Sequence, residues 1–339
     1  MFLCLGAACS ADVESVGCYN KIVNGITANV VEINMVDQRI IVTPVVATGF
    51  PNAPESFSRI IKRSKPIAAI NGTFFCTVSY VPVGDIVINR QLVNFAGLGT
   101  ALAITANNRV EFIKVKRWRH MDWSKYMTVI ASGPRLLDNG AMVFDPKSEG
   151  FKDPRLFAIR NRSAVGVTKD KMMLFVTVKA GVSLNHLARI MKSLGCIDAM
   201  NLDGGGSSGL YYDGKIVTKP DYMLTNIIAV YQVESSLKKS IAESMDKKIK
   251  LFSLTLEKEG NVVSVKGLKD SQTFAELNVG KFPFFNDTTL KLFSYFTLET
   301  GPKEAVIKTG KKDRVFAIMR SEGNSVTVIF PVSKGEIKK

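Results

Sequence analysis

Histidine is almost missing from this sequence. Among 339 residues there are two, His120 and His186. A multi-histidine metal centre or a histidine proton relay is excluded by that count. The five cysteines, Cys4, Cys9, Cys18, Cys76 and Cys196, show no C-x-x-C spacing, so a structural zinc site is not expected. Cys76 and Cys196 read as inert buried thiols, with pairing left open for an oxidising compartment. No internal apolar run reaches the roughly 18 residues that span a bilayer, which excludes a polytopic membrane protein with helical spans. No helix-turn-helix, RNP-type aromatic motif, zinc-finger spacing, internal repeat or low-complexity tract is present. Acidic residues are the minority charge: 30 Asp and Glu against 45 Lys and Arg, a formal net charge of +15. Such a balance favours anionic partners. The charge is mostly scattered lysine and reads first as a solvated surface. Nucleic acid is not an expected partner, while association with an anionic envelope through the basic surface is allowed. Hydrophobic residues at 46% and charged residues at 22% are ordinary for a globular protein and exclude wholesale disorder.

The length suits two domains. Met1 to Ala11, MFLCLGAACSA, is apolar, ends in small residues and precedes Asp12 and Glu14. It resembles an export signal without its positive start, so residues 1–19 are expected to be a signal remnant or a disordered terminus, and the protein to be exported. Residues 20–235 form the expected main domain. Alternating apolar and polar residues predict strands around Ile26–Val30 and Ile40–Val42, and a helix runs through Phe57, Ile60 and Ile61, with Pro54 in its first turn and Pro66 ending it. Strand-like runs follow at 67–75, 84–93, 100–105, 110–115, 128–131, 164–168 and 172–178. The clearest helix is Leu184–Leu194, with Ser183 as N-cap and Gly195 at its C-terminal end. A strand at 197–202 leads into a glycine-rich turn, then a hairpin at 210–217 turning on Asp213-Gly214, and a buried strand at 226–233. Residues 236–250 read as a Lys-rich linker, and 251–339 as a small basic β domain. The expected class is α+β: a layered domain of mixed, largely antiparallel sheets with few helices, plus a small all-β C-terminal domain.

Two glycine turns stand out. Asn71-Gly72 between apolar runs reads by itself as a hairpin turn. Asp203-Gly204-Gly205-Gly206-Ser207-Ser208 is less ordinary, because three consecutive glycines lose much conformational freedom on folding. Successive unhindered N–H groups can cradle an anion, with the Ser207 and Ser208 hydroxyls as further donors. The run also matches G-x-S-x-G, yet a hairpin follows it and no histidine occurs after His186, so a serine-hydrolase elbow fails. No Gly-Lys-Ser/Thr follows, so a Walker A loop fails as well. A phosphate or sugar-phosphate cradle with Asp203 as the reactive carboxylate remains.

Four segments together, Asn71-Gly72-Thr73-Phe74-Phe75, Gly133-Pro134-Arg135-Leu136-Leu137, Arg162-Ser163-Ala164-Val165-Gly166 and Asn201-Leu202-Asp203-Gly204-Gly205-Gly206-Ser207-Ser208, resemble the phosphodiester glycosidase family over roughly residues 20–235. The resemblance departs at Thr73, where the family often has a second glycine. It departs again before Asn226, where the family often carries an arginine and this chain has Tyr222. The resemblance implies cleavage between a sugar's anomeric carbon and a phosphodiester oxygen, with a phosphorylated carbohydrate as substrate. It implies Asp203 as nucleophile or base and Asp85 as a second carboxylate. Arg135 and Arg162 would grip the phosphate beside the Gly204, Gly205, Gly206, Ser207 and Ser208 loop, with Asn71 and Gly72 shaping the opposite wall and Asn226 among the substrate-binding residues. No cofactor is required and a divalent cation is allowed. The rival expectation is a non-catalytic module that binds phosphate-bearing envelope polysaccharide. Nothing in the sequence sets the oligomeric state.

Overall fold

The computed structural model describes residues 15–233, apart from 51–52, 117–120 and 144, together with Lys238 and six strands between residues 255 and 329. The export-signal expectation for residues 1–14 lies outside the described residues. In the first part the strands run β1 (Val16–Val23), β2 (Ile26–Asn34), β3 (Ile40–Val46), β4 (Ala68–Asn71), β5 (Ile86–Ile88), β6 (Gln91–Asn94), β7 (Thr100–Thr105), β8 (Val110–Lys114), β9 (Tyr126–Ser132), β10 (Arg135–Asp138), β11 (Ala141–Met142), β12 (Arg160–Thr168), β13 (Met172–Val182), β14 (Cys196–Asn201), β15 (Leu210–Tyr212), β16 (Lys215–Thr218) and β17 (Asn226–Gln232). Helix α1 (Phe57–Ser64) and helix α2 (Leu184–Ser193) complete the set with two short 3-10 turns. The first strand begins at Val16, earlier than residue 20, and pairs along its whole length with β2.

Three antiparallel sheets form. One has seven strands in the order β1-β2-β13-β12-β14-β10-β11. A second, β16-β15-β4-β17-β3, and a third, β6-β5-β9-β7-β8, have five each. Alternation along β13 explains the layering: Met173 and Phe175 join the cluster with Ile70, Ile130 and Ile228 between the sheets, while Leu174, Val176 and Val178 pack beneath α2. Both faces of the large sheet are thereby buried, and its register is fixed, since a slip by one residue would exchange the two sets. Leu184, Leu187, Ala188 and Met191 form the buried stripe of α2, and the Ser183 hydroxyl accepts from the His186 N–H at 3.2 Å. On the second sheet, α1 buries Phe57, Ile60 and Ile61 over Ala69, Ile227 and Ala229. Its N-cap is Ser56, so Pro54 lies outside the helix, contrary to the expectation from sequence. Trp123 and Tyr126 close the outer face of the third sheet.

Cys18 and Cys196 are free thiols, and burial pushes the Cys196 thiol up to about 12. Lys238, placed in the linker by composition, is held: its Nζ donates to the Ile40 carbonyl at 2.7 Å and to Asn108 Oδ1 at 2.6 Å. The later strands, 255–259, 262–266, 296–300, 304–309, 314–322 and 325–329, make a six-stranded antiparallel sheet of their own. The strand at 296–300 was not legible in the sequence.

Candidate active site

Strand ends from all three sheets meet at one junction. β14 ends at Asn201, β4 at Asn71, β9 at Ser132, and β17 begins at Asn226. The loop after β14 is tied to the second sheet by the Asp203 N–H, which donates to the Gly72 carbonyl at 3.1 Å. It is tied to the third by the Gly133 N–H, which donates to the Asn201 carbonyl at 2.9 Å. Asn71 is buried and clamps both ends of the glycine loop. Its Nδ2 donates to the Asp203 carbonyl at 2.7 Å, and its Oδ1 accepts from the Gly209 N–H at 3.0 Å. Asn226 does the same for the other turn, its Oδ1 accepting from the Thr73 N–H at 2.8 Å. A Cβ at Gly72 would lie 1.8 Å from that Oδ1, so glycine is required there by close approach. Asn71-Gly72 is therefore not a hairpin turn. The two asparagines hold the loops in place, and their amides are spent on backbone and on the Thr225 hydroxyl rather than offered to a ligand.

The loop itself has three features with chemical consequence. Asp203 is partly buried, and its Oδ1 accepts from the Gly204 N–H at 2.8 Å. Burial pushes its carboxyl up to about 6, against the opposing pull of the Ser207 hydroxyl, the Gly204 N–H, and the Arg155 and Arg160 charges. The Ser207 and Ser208 N–H groups close the turn onto the Gly204 and Gly205 carbonyls, and the Gly206 carbonyl accepts from the Asp221 and Tyr222 N–H groups. Among the described residues the N–H groups of Gly205 and Gly206 have no protein acceptor, and the buried Ser208 hydroxyl has no partner. Gly204 presses on the backbone of β12, where a Cβ would sit 2.8 Å from the Asn161 carbonyl.

The cations are not those expected. Arg162 is 2% exposed. Its Nε donates to the Val182 carbonyl at 3.1 Å and its Nη2 to the Leu156 and Ala158 carbonyls. Burial, with Arg160 nearby, pushes it down to about 10. Through Nε and Nη2 it pins the 154–158 turn to β12. Arg135 is likewise occupied, by Asp198 at 2.6 Å and Asp138 at 3.0 Å. The exposed guanidiniums whose charge reaches Asp203 are Arg155 and Arg160. Arg155 is paired with Asp153 at 2.6 Å, and Arg160 Nη1 lies 3.5 Å from the Cβ position of Gly205. Neither is among the residues named from the sequence, and only their neighbourhood in space singles them out. Asp85 also departs from expectation. It is fully buried, with Oδ1 accepting from the Ala96 and Gly97 N–H groups at 2.8 Å each and Oδ2 from the Trp123 indole at 3.1 Å. It organises the third sheet and has no oxygen to spare for a substrate. Among the described residues no group of three His, Cys, Asp or Glu side chains could hold a metal ion.

Residues 64–231 match the model of the phosphodiester glycosidase family. Over that stretch, just under half of its length, the chain is similar to the family. A crystal structure of a hypothetical protein from Synechocystis superposes with a TM-score of 0.56 at 17% identity, covering 64% of this chain and 62% of that one. The zebrafish N-acetylglucosamine-1-phosphodiester alpha-N-acetylglucosaminidase catalytic domain, auto-inhibited by its pro-peptide, superposes with a TM-score of 0.52 at 18% identity, covering 64% of this chain and 82% of that one. At such identities the likeness is one of fold. No match was found among curated proteins. The fold is shared with a phosphodiester glycosidase catalytic domain, and the chain spans about three fifths of the Synechocystis protein it matches.

Proposed function

We propose that this protein hydrolyses the bond between a sugar's anomeric carbon and a phosphodiester, on an exported or envelope phosphoglycan. The observation that carries the reading is a carboxylate, Asp203, held in a glycine crest beside exposed Arg155 and Arg160. Ordinary glycosidases need two carboxyl groups, one of which protonates a poor alkoxide leaving group. A phosphate monoester leaves readily, so the demand shifts from a strong acid to stabilisation of departing charge. Guanidinium suits that task because it pairs bidentately with phosphate oxygens. The site fits this division of labour, since Asp85 is engaged in the core and arginines flank the loop.

At neutral pH, Asp203, held up at about 6, is mostly ionised. It acts at the anomeric carbon, directly as nucleophile or by taking the proton of an attacking water. The C–O bond breaks toward phosphate, and Arg160, Arg155 and the Gly205 and Gly206 N–H groups receive the charge. Water supplies the hydroxyl that ends on the sugar and the proton that leaves with phosphate or solvent. The net charge of +15 favours a polyanionic substrate and, with the apolar first residues, supports an envelope setting. The test is release of N-acetylglucosamine from a simple sugar-1-phosphodiester, with Asp203→Asn as control. Loss in the variant supports the reading, and retained activity removes Asp203 from the chemistry. A folded wild type that binds sugar phosphates yet releases nothing from several such diesters would replace the hydrolase with a binding module.

A further inference from the structure

A large aromatic ring stands in the open beside the crest. Tyr222 is 66% exposed and its neighbour Met223 58% exposed, although the chain on either side is firmly held. The Asp221 and Tyr222 N–H groups both donate to the Gly206 carbonyl, at 2.7 and 3.0 Å, and Leu224 exchanges backbone bonds with Glu55. The ring does not swing free of the loop. A Cβ at Gly206 would lie 2.5, 2.7 and 2.9 Å from its Cε2, Cδ2 and Cζ atoms, so the missing side chain of Gly206 is the space the ring occupies. On the adjoining residue, Gly205, the nearest side chain is the Arg160 guanidinium, 3.5 Å from the corresponding Cβ position. Successive Cα atoms are about 3.8 Å apart. A cation and a rigidly mounted aromatic edge thus flank two neighbouring residues of one crest, next to Asp203.

We propose that Tyr222 is the specificity-determining residue of this site, a stacking surface for the sugar ring whose phosphate is held by Arg160 and the Gly205 and Gly206 N–H groups. A pyranose presents a face of C–H bonds that packs on an aromatic ring, and an amphipathic ring such as tyrosine serves that role while staying wet on one side. Where a second cation would bind more phosphate, a ring in this position selects for sugar. The proposal deepens the hydrolase reading and rests on it for the placement of phosphate.

The experiment compares wild type with Tyr222→Phe and Tyr222→Ala, using N-acetylglucosamine-1-phosphate and inorganic phosphate as binding probes and the methyl phosphodiester of N-acetylglucosamine as substrate. Tyr222→Ala should weaken the sugar phosphate and raise KM about tenfold, the scale of one aromatic contact, with kcat changed less than about twofold. Tyr222→Phe should restore both, and inorganic phosphate should bind all three proteins alike. Thermal melting separates a folding defect from loss of the surface, and saturation-transfer NMR from aromatic protons to the sugar ring reports stacking in wild type directly. Cleavage by wild type with KM and sugar affinity unchanged in Tyr222→Ala overturns the stacking role and leaves the hydrolase standing. Tyr222-dependent sugar binding without any cleavage keeps the stacking role and overturns the hydrolase. Equal weakening of inorganic phosphate in Tyr222→Ala also overturns the proposal, because the ring would then be holding the loop.

Discussion

Asp203→Asn should make the protein more stable at high pH and leave it nearly unchanged at low pH. The carboxyl is held at about 6 in the folded chain against its ordinary 3.8, because burial disfavours the charged form more than its donors and the arginines favour it. A raised carboxyl means that the folded state binds the proton more tightly than the unfolded state. Whatever stability this confers is complete below about pH 4 and is lost as pH rises through about 6. Two pH units correspond to about 3 kcal/mol, the burden carried by the ionised folded state well above its pKa. Between about pH 4 and about pH 8 the linkage amounts to about 2 kcal/mol, since part of the change has already begun at the lower pH. Asparagine removes this dependence. Its amide meets the Gly204 N–H through oxygen much as the protonated carboxyl does, so the exchange is nearly neutral at low pH. Denaturant titrations of both proteins at the two pH values, followed by the fluorescence of Trp123 in the same domain, measure the difference. The advantage of the variant should grow by about 2 kcal/mol toward high pH. A variant destabilised equally at both values would show that the folded carboxyl titrates normally, and the electrostatic account of the site would fail with it.

Three further outcomes follow from the same contacts. The kcat/KM profile for a sugar-1-phosphodiester should rise through about pH 6 as Asp203 ionises, and Arg160→Gln should move that limb upward, because the Arg160 charge holds the carboxyl down; a limb unmoved by the substitution would place Arg160 away from the carboxylate. Asp85→Ala strands two backbone N–H groups and the Trp123 indole, and should cost about 3–5 kcal/mol in denaturant unfolding with a red-shifted Trp emission; unchanged stability with lost activity would return Asp85 to the chemistry. Arg162→Met should lower stability by about 2–4 kcal/mol by leaving buried carbonyls unpaired, whereas Arg160→Gln should stay within about 0.5 kcal/mol in the same titration and raise KM instead.

These substitutions mark where a sequence can be read and where it cannot. The helix at 184–193, the hairpin at Asp213-Gly214 and the strand entering the glycine loop follow from local rules of spacing, capping and turn chemistry, and they appear with ends shifted by a residue or so. The position of Asp203 followed equally, because a triple glycine after a strand is a costly local choice with few uses. The partners of Asp203 did not follow. Arg155, Arg160 and Arg162 look alike in sequence, and residue type alone suggests any of them for phosphate. What separates them is tertiary: Arg162 faces the Val182 and Leu156 carbonyls across a bulged register between β12 and β13, and Arg160 faces the loop. Asp85 shows the same ambiguity, since a carboxylate that organises a sheet and one that attacks a substrate are identical until the burial of their donors is known. Asn71-Gly72 shows it for backbone, because the dipeptide that usually turns a hairpin is here the one that lets Asn226 approach. Local grammar therefore locates the glycine loop and the strand that enters it. The division of charged residues into those that build the site and those that face the substrate is decided only when three sheets bring their strand ends together.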